Sequence, residues 1–129
     1  MMTTENILVE DLMSKNIIAV DPEVHLNKVR EMFEEYDVHH LLVVSGGNLV
    51  GIISTHDLLN TYKEEGKIPD NMTAEEIMTA NPLSIDMSDS IGLAADIILA
   101  NKFHALPVLD GEELVGIITN HDLIKYAFK

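Results

Sequence analysis

The stretch that decides the fold is Gly51-Ile52-Ile53-Ser54-Thr55-His56-Asp57, which returns 65 positions later as Gly116-Ile117-Ile118-Thr119-Asn120-His121-Asp122. We refer to these as the first and second heptapeptides. Each starts within an apolar run that predicts a short buried strand, and a helical pattern follows each. We take Thr55 and Asn120 as the N-cap residues of these helices. Such a junction leaves backbone N–H groups for a ligand, with a carboxylate one turn away.

The heptapeptides belong to a longer internal repeat. A shift of 65 positions aligns residues 9–62 with residues 74–127 without a gap, and 16 of the 54 pairs are identical. The sequence is therefore a duplication, and internal repeats of this length indicate one structural unit used twice. We predict a first repeat over residues 7–62, a polar linker over 63–72 that contains Gly66 and Pro69, and a second repeat over 73–129.

Each repeat is predicted to fold as β-α-β-β-α, which makes the protein an α/β (α+β) protein. Short strands are expected at residues 17–20 and 83–85, and paired strands are expected on either side of the turns Gly46-Gly47 and Asp110-Gly111. Half of this chain would bury a poor core alone, so we expect the two repeats to pack through their sheets about a pseudo-two-fold axis. Apolar residues at helical spacing predict one amphipathic helix in each repeat. The first contains Leu26, Val29, Phe33 and Tyr36, and the second contains Ile91, Ala94 and Ile98 and is capped by Ser90.

Composition indicates a folded protein without membrane or disulfide features. The chain is 47% hydrophobic and 23% charged and has no cysteine, which excludes a disulfide framework, a thiolate metal site and a cysteine nucleophile. No apolar run is long enough to span a bilayer, and residues 1–10 do not resemble a signal segment. We expect a cytoplasmic protein.

The net charge of −14 argues against two classes of partner. Nucleic acids and anionic membranes are bound largely through lysine and arginine, so we expect neither. Nucleophile elbows, phosphate-binding glycine loops and zinc-protease motifs are also missing from the sequence, so we do not expect an enzyme.

The order of motifs resembles the CBS (cystathionine-β-synthase) domain, twice. Each copy has Met13-Ser14 or Met78-Thr79, an apolar strand, Asp21 or Asp86, an amphipathic helix, a His-x-Leu segment, and Leu-Val-Gly-Ile-Ile-[Ser/Thr]-x-x-Asp. The resemblance covers residues 9–127, and two full copies at matched spacing make it far more specific than any single motif.

The resemblance implies a regulatory module that binds AMP, ADP, ATP, adenosine or S-adenosylmethionine in clefts between the repeats. The aspartate of each heptapeptide would accept hydrogen bonds from both ribose hydroxyls, and the hydroxyl residue at the strand end would meet phosphate or ribose. One cleft would use Asp122, Thr119 and His121 with Ser14, Ile18, Ala19, Val38 and His39. The other would use Asp57, Ser54 and His56 with Thr79, Leu83, Ser84, Phe103 and His104.

Two features of these predicted clefts are unusual. Phe103 could stack on an adenine, whereas its counterpart Val38 cannot, so the clefts should differ. Histidine precedes each aspartate, and the position before the strand where nucleotide-binding relatives often carry arginine holds His40 or Ala105. The lack of arginine argues against tight binding of di- and triphosphates.

Simpler readings of the same residues stay open. Asp57 and Asp122 could only stabilise their helices, Ser54 and Thr119 could only bond the local backbone, and His56 and His121 could be exposed first-turn residues. The repeated histidines could instead hold a metal ion, although their spacing does not favour one helix face. As a whole, the chain could be a ligand-free scaffold for dimerisation and protein interaction. We expect a homodimer and a separate effector protein.

Overall fold

The computed structural model describes residues 7–101 and 103–127. The expectation about a signal segment concerns residues 1–10, of which residues 1–6 lie outside the described residues, as does the predicted end of the second repeat at Lys129. In chain order the helices and strands are α1 (Val9–Leu12), β1 (Ala19–Val20), α2 (Leu26–Tyr36), β2 (His40–Ser45), β3 (Asn48–Ser54), α3 (Thr55–Glu65), α4 (Ala74–Ile77), β4 (Thr79–Ala80), β5 (Ile85–Asp86), α5 (Ile91–Asn101), β6 (Ala105–Asp110), β7 (Glu113–Thr119) and α6 (Asn120–Ala127).

The predicted α/β class and the β-α-β-β-α order of each repeat are confirmed, with differences at the ends of elements. The strands predicted at residues 17–20 and 83–85 have only two residues each, because β1 pairs with β2 at Ala19 and Val20 alone and β5 pairs with β6 at Ile85 and Asp86 alone. The second repeat has a further two-residue strand, β4, before β5. Helix α3 runs to Glu65 and so takes the first three residues of the predicted linker. Gly66 ends it in the left-handed conformation with φ of 76°, which glycine adopts without a Cβ clash.

The strands form two sheets, each built around one hairpin. The order is β1-β2-β3-β4 in one sheet and β5-β6-β7 in the other, with the first strand parallel to its neighbour and the hairpins antiparallel. Gly46 and Gly47 both have positive φ and form the two-residue turn of the β2–β3 hairpin. In the other hairpin Asp110 pairs with Glu113, so the turn is Gly111-Glu112 and not the predicted Asp110-Gly111.

Each sheet packs with its helices around a separate apolar core. Leu26, Val29 and Phe33 of α2 are buried in one core, but the predicted fourth member, Tyr36, is 44% exposed. Ile91, Ala94 and Ile98 of α5 are buried as predicted, and Ser90 caps this helix by accepting a hydrogen bond from the Leu93 N–H at 3.1 Å.

The two compact units of the chain do not coincide with its two sequence repeats. One unit is Ile18–Pro82, and the other combines Met1–Ile17 with Leu83–Lys129. We call them the 18–82 unit and the 83–129 unit. The first turn of each repeat therefore folds with the body of the other repeat.

Backbone hydrogen bonds fix this exchange of first turns. In the 83–129 unit, the Val9 N–H donates to the Asp89 carbonyl at 2.8 Å, and Ser14 and Ile117 exchange both of their backbone hydrogen bonds. In the 18–82 unit, the Ala74 N–H donates to the Val24 carbonyl at 2.9 Å, and β4 pairs with β3 through Thr79 and Ile52. Ser14–Ile117 and Thr79–Ile52 are the same contact in the two copies of the repeat.

A methionine packed on a glycine completes each exchanged contact. A Cβ added at Gly116 would lie 2.8 Å from Met13 Sδ and 2.8 Å from the Ser14 carbonyl oxygen. A Cβ added at Gly51 would overlap Met78 Sδ, with no backbone atom among its three nearest neighbours. Glycine is therefore required where the exchanged turn lies directly on the strand.

We predict that Gly116→Ala lowers the free energy of unfolding by about 1–3 kcal/mol, as overpacking does, and that Gly51→Ala costs less. At Gly116 the obstacle includes a backbone oxygen, which cannot move without breaking the Ser14–Ile117 pair. At Gly51 the obstacle is the Met78 side chain alone, which can change its rotamer without breaking a backbone hydrogen bond. Urea unfolding of both variants measures the difference.

Double-mutant cycles supply the control for this prediction. Met78→Ala should relieve most of the cost of Gly51→Ala, whereas Met13→Ala should relieve only part of the cost of Gly116→Ala. Equal costs at the two glycines, or no coupling within the Gly51/Met78 pair, would contradict the proposed packing.

Candidate functional site

Each heptapeptide ends in a reciprocal pair of hydrogen bonds that starts a helix. The Asp57 N–H donates to Ser54 Oγ at 3.1 Å, and the Ser54 N–H donates to Asp57 Oδ2 at 2.8 Å. This is a capping box, in which two N–H groups of a helix start are satisfied by side chains. The N-cap residue is therefore Ser54, and the prediction of Thr55 was wrong by one position.

The second heptapeptide has the same geometry. The Asp122 N–H donates to Thr119 Oγ1 at 3.1 Å, and the Thr119 N–H donates to Asp122 Oδ2 at 2.9 Å. Thr119 thus caps α6 in place of the predicted Asn120. The physical reason is the same in both copies: the strand continues through the hydroxyl residue, whose extended backbone brings its side chain over the first helical turn.

The capping boxes leave one oxygen of each carboxylate available. Only Oδ2 of Asp57 and Oδ2 of Asp122 accept a hydrogen bond from residues in the described part of the chain. Both carboxylates are half-buried at the end of a strand. Each Oδ1 can therefore accept a hydrogen bond from a hydroxyl group of a ligand, and ionised acceptors form the stronger hydrogen bonds.

The hydroxyls of Ser54 and Thr119 keep a proton to donate. Each oxygen accepts an N–H of its own helix, and a hydroxyl can donate one hydrogen bond while it accepts others. A donor and an ionised acceptor therefore lie side by side at the end of β3, and the same pair lies at the end of β7. This combination suits a polar ligand that carries both hydroxyl and anionic oxygens.

The exchanged turns bring a further predicted site residue to each junction. Ser14 pairs with Ile117, two positions before Thr119, and Thr79 pairs with Ile52, two positions before Ser54. Ser14 is half-buried and Thr79 is exposed. The structure thus places Ser14 beside the strand that leads to Asp122 and Thr79 beside the strand that leads to Asp57. That these residues share a ligand site stays a prediction.

The other predicted site residues belong to the opposite compact unit in each case. Ile18, Ala19, Val38 and His39, predicted for the Asp122 cleft, lie in the 18–82 unit, and Leu83, Ser84, Phe103 and His104, predicted for the Asp57 cleft, lie in the 83–129 unit. The joining of the two groups into clefts stays a prediction.

The predicted histidines are all exposed and lie beside the helix starts. The backbone carbonyls of His39 and His104 accept the N–H groups of Thr55 and Asn120 at 3.0 and 2.9 Å. The His104 ring also has a partner in its own unit, because its Nδ1 lies 3.3 Å from the side-chain nitrogen of Asn120. His56 and His121 are exposed first-turn residues.

Phe103 and Val38 both have packing roles. Phe103 is half-buried against the core of the 83–129 unit, and Val38 is half-buried against the core of the 18–82 unit. Stacking of Phe103 on an adenine stays a prediction, and the ring must keep one face free of the core for it to occur.

The two helices that carry the aspartates differ one turn later. Thr61 is buried and donates to the Asp57 carbonyl at 3.1 Å, so its hydroxyl is satisfied within α3. Its counterpart Tyr126 has a buried hydroxyl with no hydrogen-bond partner in the described ranges 7–101 and 103–127. An unpaired buried hydroxyl is costly, so the two junctions are chemically unequal.

Within the described residues, no three His, Asp or Glu side chains lie close enough together to hold a metal ion. None of the helices described for residues 7–101 and 103–127 has both the length and the apolar character that crossing a bilayer requires.

Sequence reasoning missed the contacts of Met13 with Gly116 and of Met78 with Gly51. These residues hold the exchanged turns that position Ser14 and Thr79. A signal was present, because both the methionine and the glycine are identical in the two copies of the repeat. The contact itself was not visible, since it joins positions far apart in the chain.

Comparisons with known proteins agree on one family. The CBS domain family matches residues 9–64 and again residues 74–129. An uncharacterized protein of Methanocaldococcus jannaschii is 30% identical over 95% of this chain, which spans 48% of that protein. The chain spans about half or less of the length of the first curated relatives that it matches.

Two solved structures with this fold contain adenosine-type ligands. The CBSX2 protein in complex with AMP is 29% identical, with a TM-score of 0.82, over 95% of this chain and 97% of that one. The CBS domain pair of protein MJ0100, in complex with 5′-methylthioadenosine and S-adenosyl-L-methionine, is 27% identical, with a TM-score of 0.84, over 94% of this chain and 95% of that one.

The corrected cap position gives a direct stability test. We predict that Ser54→Ala lowers the free energy of unfolding by about 1 kcal/mol, because it leaves the Asp57 N–H without its partner. The matched control Thr55→Ala should change it by less than about 0.5 kcal/mol, as is usual for an exposed surface position. Urea unfolding measures both, and a larger cost for Thr55→Ala would restore Thr55 as the cap.

Proposed function

The chain belongs to the CBS domain family, and from that membership we propose that it is a regulatory module that binds an adenosine-containing ligand at its two heptapeptides. The observation that carries this proposal is the repeated carboxylate of Asp57 and Asp122, held on one oxygen by a capping box and available on the other. The AMP complex of a protein 29% identical to this chain supports the ligand class. The proposed role is regulatory and not catalytic, in the cytoplasm.

The recognition chemistry follows from the groups at each junction. Oδ1 of Asp57 or Asp122 accepts hydrogen bonds from the vicinal hydroxyls of ribose, and a vicinal diol can offer two donors to one carboxylate. The hydroxyl of Ser54 or Thr119 donates to the 5′ substituent of the ligand. The exchanged residue Thr79 or Ser14 lies beside the same strand and contacts the nucleoside from the turn.

The charge of the protein selects among adenosine-type ligands. The net charge is −14, and neither heptapeptide contains lysine or arginine. Each additional phosphate adds negative charge that no lysine or arginine of the heptapeptides offsets, so di- and triphosphates bind more weakly than AMP. S-adenosylmethionine carries a positive sulfonium and is favoured by the same charge; a related CBS pair is in complex with it.

The regulatory step requires two states of the protein. A ligand shifts a conformational equilibrium only if it binds one state more tightly than the other. We propose that occupancy of the heptapeptide sites changes the arrangement of a homodimer and thereby its contact with a separate effector protein. In this account the chain acts on no substrate of its own.

We predict that AMP and S-adenosylmethionine bind the wild-type protein more tightly than ATP, by about tenfold or more. Each step of tenfold corresponds to about 1.4 kcal/mol, which is within the range of one additional charge interaction near a protein surface. Isothermal titration calorimetry with the three ligands measures the order. Equal or tighter binding of ATP would contradict the proposed role of the charge.

We predict that Asp57→Asn and Asp122→Asn together weaken AMP binding by at least about tenfold. Asparagine keeps an oxygen for the capping box but removes the ionised acceptor that the ribose requires. The control is Asp89→Asn, because Asp89 also accepts an N–H three residues earlier, from Asp86 at 3.0 Å, but lies outside the heptapeptides. Unchanged affinity in the double variant, or an equal loss in the control, would exclude the proposed site.

Thermal unfolding with and without ligand, together with the calorimetry, separates the sensor from a ligand-free scaffold. Ligand that binds only the native state must raise its stability, so AMP should increase the melting temperature of the wild-type protein. Binding of none of the three ligands, together with an unchanged melting temperature, would favour the scaffold.

A further inference from the structure

The helices that carry the two aspartates start in the same way but are held differently one turn later. Their capping boxes have nearly the same distances, 2.8 and 3.1 Å at Asp57 and 2.9 and 3.1 Å at Asp122. Four residues after each aspartate, on the same face of the helix, the first copy has Thr61 and the second has Tyr126. The caps therefore do not distinguish α3 from α6, but the next turn does.

The buried hydroxyl of α3 is satisfied within the helix. Thr61 is 8% exposed, and its hydroxyl donates to the Asp57 carbonyl at 3.1 Å. Gly66 caps the end of the same helix, and its N–H donates to the Tyr62 carbonyl at 2.8 Å. If α3 opens, the Thr61 hydroxyl only exchanges a protein partner for water, so this group does not favour opening.

Helix α6 buries a hydroxyl that is not satisfied. The helix, Asn120–Ala127, packs against α1, α5 and β7 of the same unit, and none of its residues is buried as a whole. The oxygen of the Tyr126 hydroxyl is nevertheless buried, and it has no hydrogen-bond partner among residues 7–101 and 103–127. A buried hydroxyl without a partner costs free energy, which is recovered when the group reaches water.

The Tyr126 hydroxyl and the cap of α6 have opposite effects on the helix. We call α6 closed when its helical hydrogen bonds are formed, and open when they are lost and Tyr126 is hydrated. The unpaired hydroxyl favours the open state, because it gains hydrogen bonds to water there. The capping box favours the closed state, because the bond from the Thr119 N–H to Asp122 is lost when the first turn unwinds. A ligand that contacts Asp122 acts on the side of the cap.

We propose that Tyr126 makes α6 the ligand-responsive helix of the chain: α6 opens locally in the ligand-free protein, and an adenosine-type ligand bound at Asp122 closes it. A ligand that binds only the closed helix start shifts the equilibrium toward the closed state by its differential affinity. Asp57 lies on a helix without this bias, so the ligand meets a preformed site there. This inference rests on the proposed function and assigns its regulatory step to one of the two junctions.

Amide hydrogen exchange of the ligand-free full chain tests the effect of the hydroxyl. Tyr126→Phe removes the hydroxyl and keeps the ring, and it should slow exchange in α6 by at least about tenfold while leaving α3 unchanged. The matched control is Thr61→Val, which replaces a bonded hydroxyl with a methyl group of similar size. It should change exchange in α3 by less than about threefold, because the buried methyl group offsets the lost hydrogen bond.

Exchange in the presence of AMP tests the closing step. AMP at roughly 100 times its dissociation constant, which calorimetry supplies, should slow exchange in α6 of the wild-type protein by at least about tenfold. Asp57→Asn should keep this effect, because it leaves the Asp122 junction intact. Asp122→Asn should abolish it, although asparagine keeps an oxygen for the capping box. Circular dichroism of each variant verifies folding.

Three outcomes would overturn the inference. Exchange in α6 that is the same in Tyr126→Phe as in the wild type is one, and an ordered water bound to the hydroxyl would produce it. Equal slowing in α3 and α6 is the second, because the opening would then be global. Binding of AMP without slower exchange in α6 is the third, and it leaves the proposed function standing. A protein that binds no adenosine-type ligand contradicts the proposed function and the closing step with it, whereas the ligand-free exchange of Tyr126→Phe still decides the effect of the hydroxyl.

Discussion

The contact of an exchanged methionine with a strand glycine is the constraint on which the rest of the structure depends. Met13 lies on Gly116, and Met78 lies on Gly51, so the first turn of each repeat is held against the sheet of the other. A side chain at either glycine would displace the turn. Because β4 and the Ser14–Ile117 pair follow directly from these contacts, the same constraint decides which side chains lie beside the two heptapeptides.

The exchange also explains why a duplicated chain needs both copies. Each compact unit takes its first turn from the other repeat, and residues such as Val9 and Ala74 are fully buried in the unit that receives them. A single repeat would lack this turn on its sheet and would expose part of its core. Each repeat therefore supplies the first turn that the unit built on the other repeat needs, in addition to enlarging the protein.

The repeat is an internal comparison that separates architecture from function. Features kept in both copies, such as the capping boxes of Asp57 and Asp122, have nearly the same distances in the two units. One feature that differs is the buried Tyr126 hydroxyl, which stands in place of the hydrogen-bonded Thr61 hydroxyl of the other unit. The shared features therefore reflect a requirement that both units have in common, the start of a helix directly at the end of a strand.

The sequence by itself determined the duplication, the α/β class, the order of elements and the two heptapeptides, because these follow from local periodicity and from identities between the copies. It misplaced both helix caps by one residue and one hairpin turn by one residue, since cap and turn positions depend on where the strand pairing stops. Only the tertiary structure decided that each first turn folds with the opposite repeat. Met78 is more than 25 positions from Gly51, and Met13 is about 100 positions from Gly116. Nothing in the local sequence indicates which of the two glycines each methionine contacts.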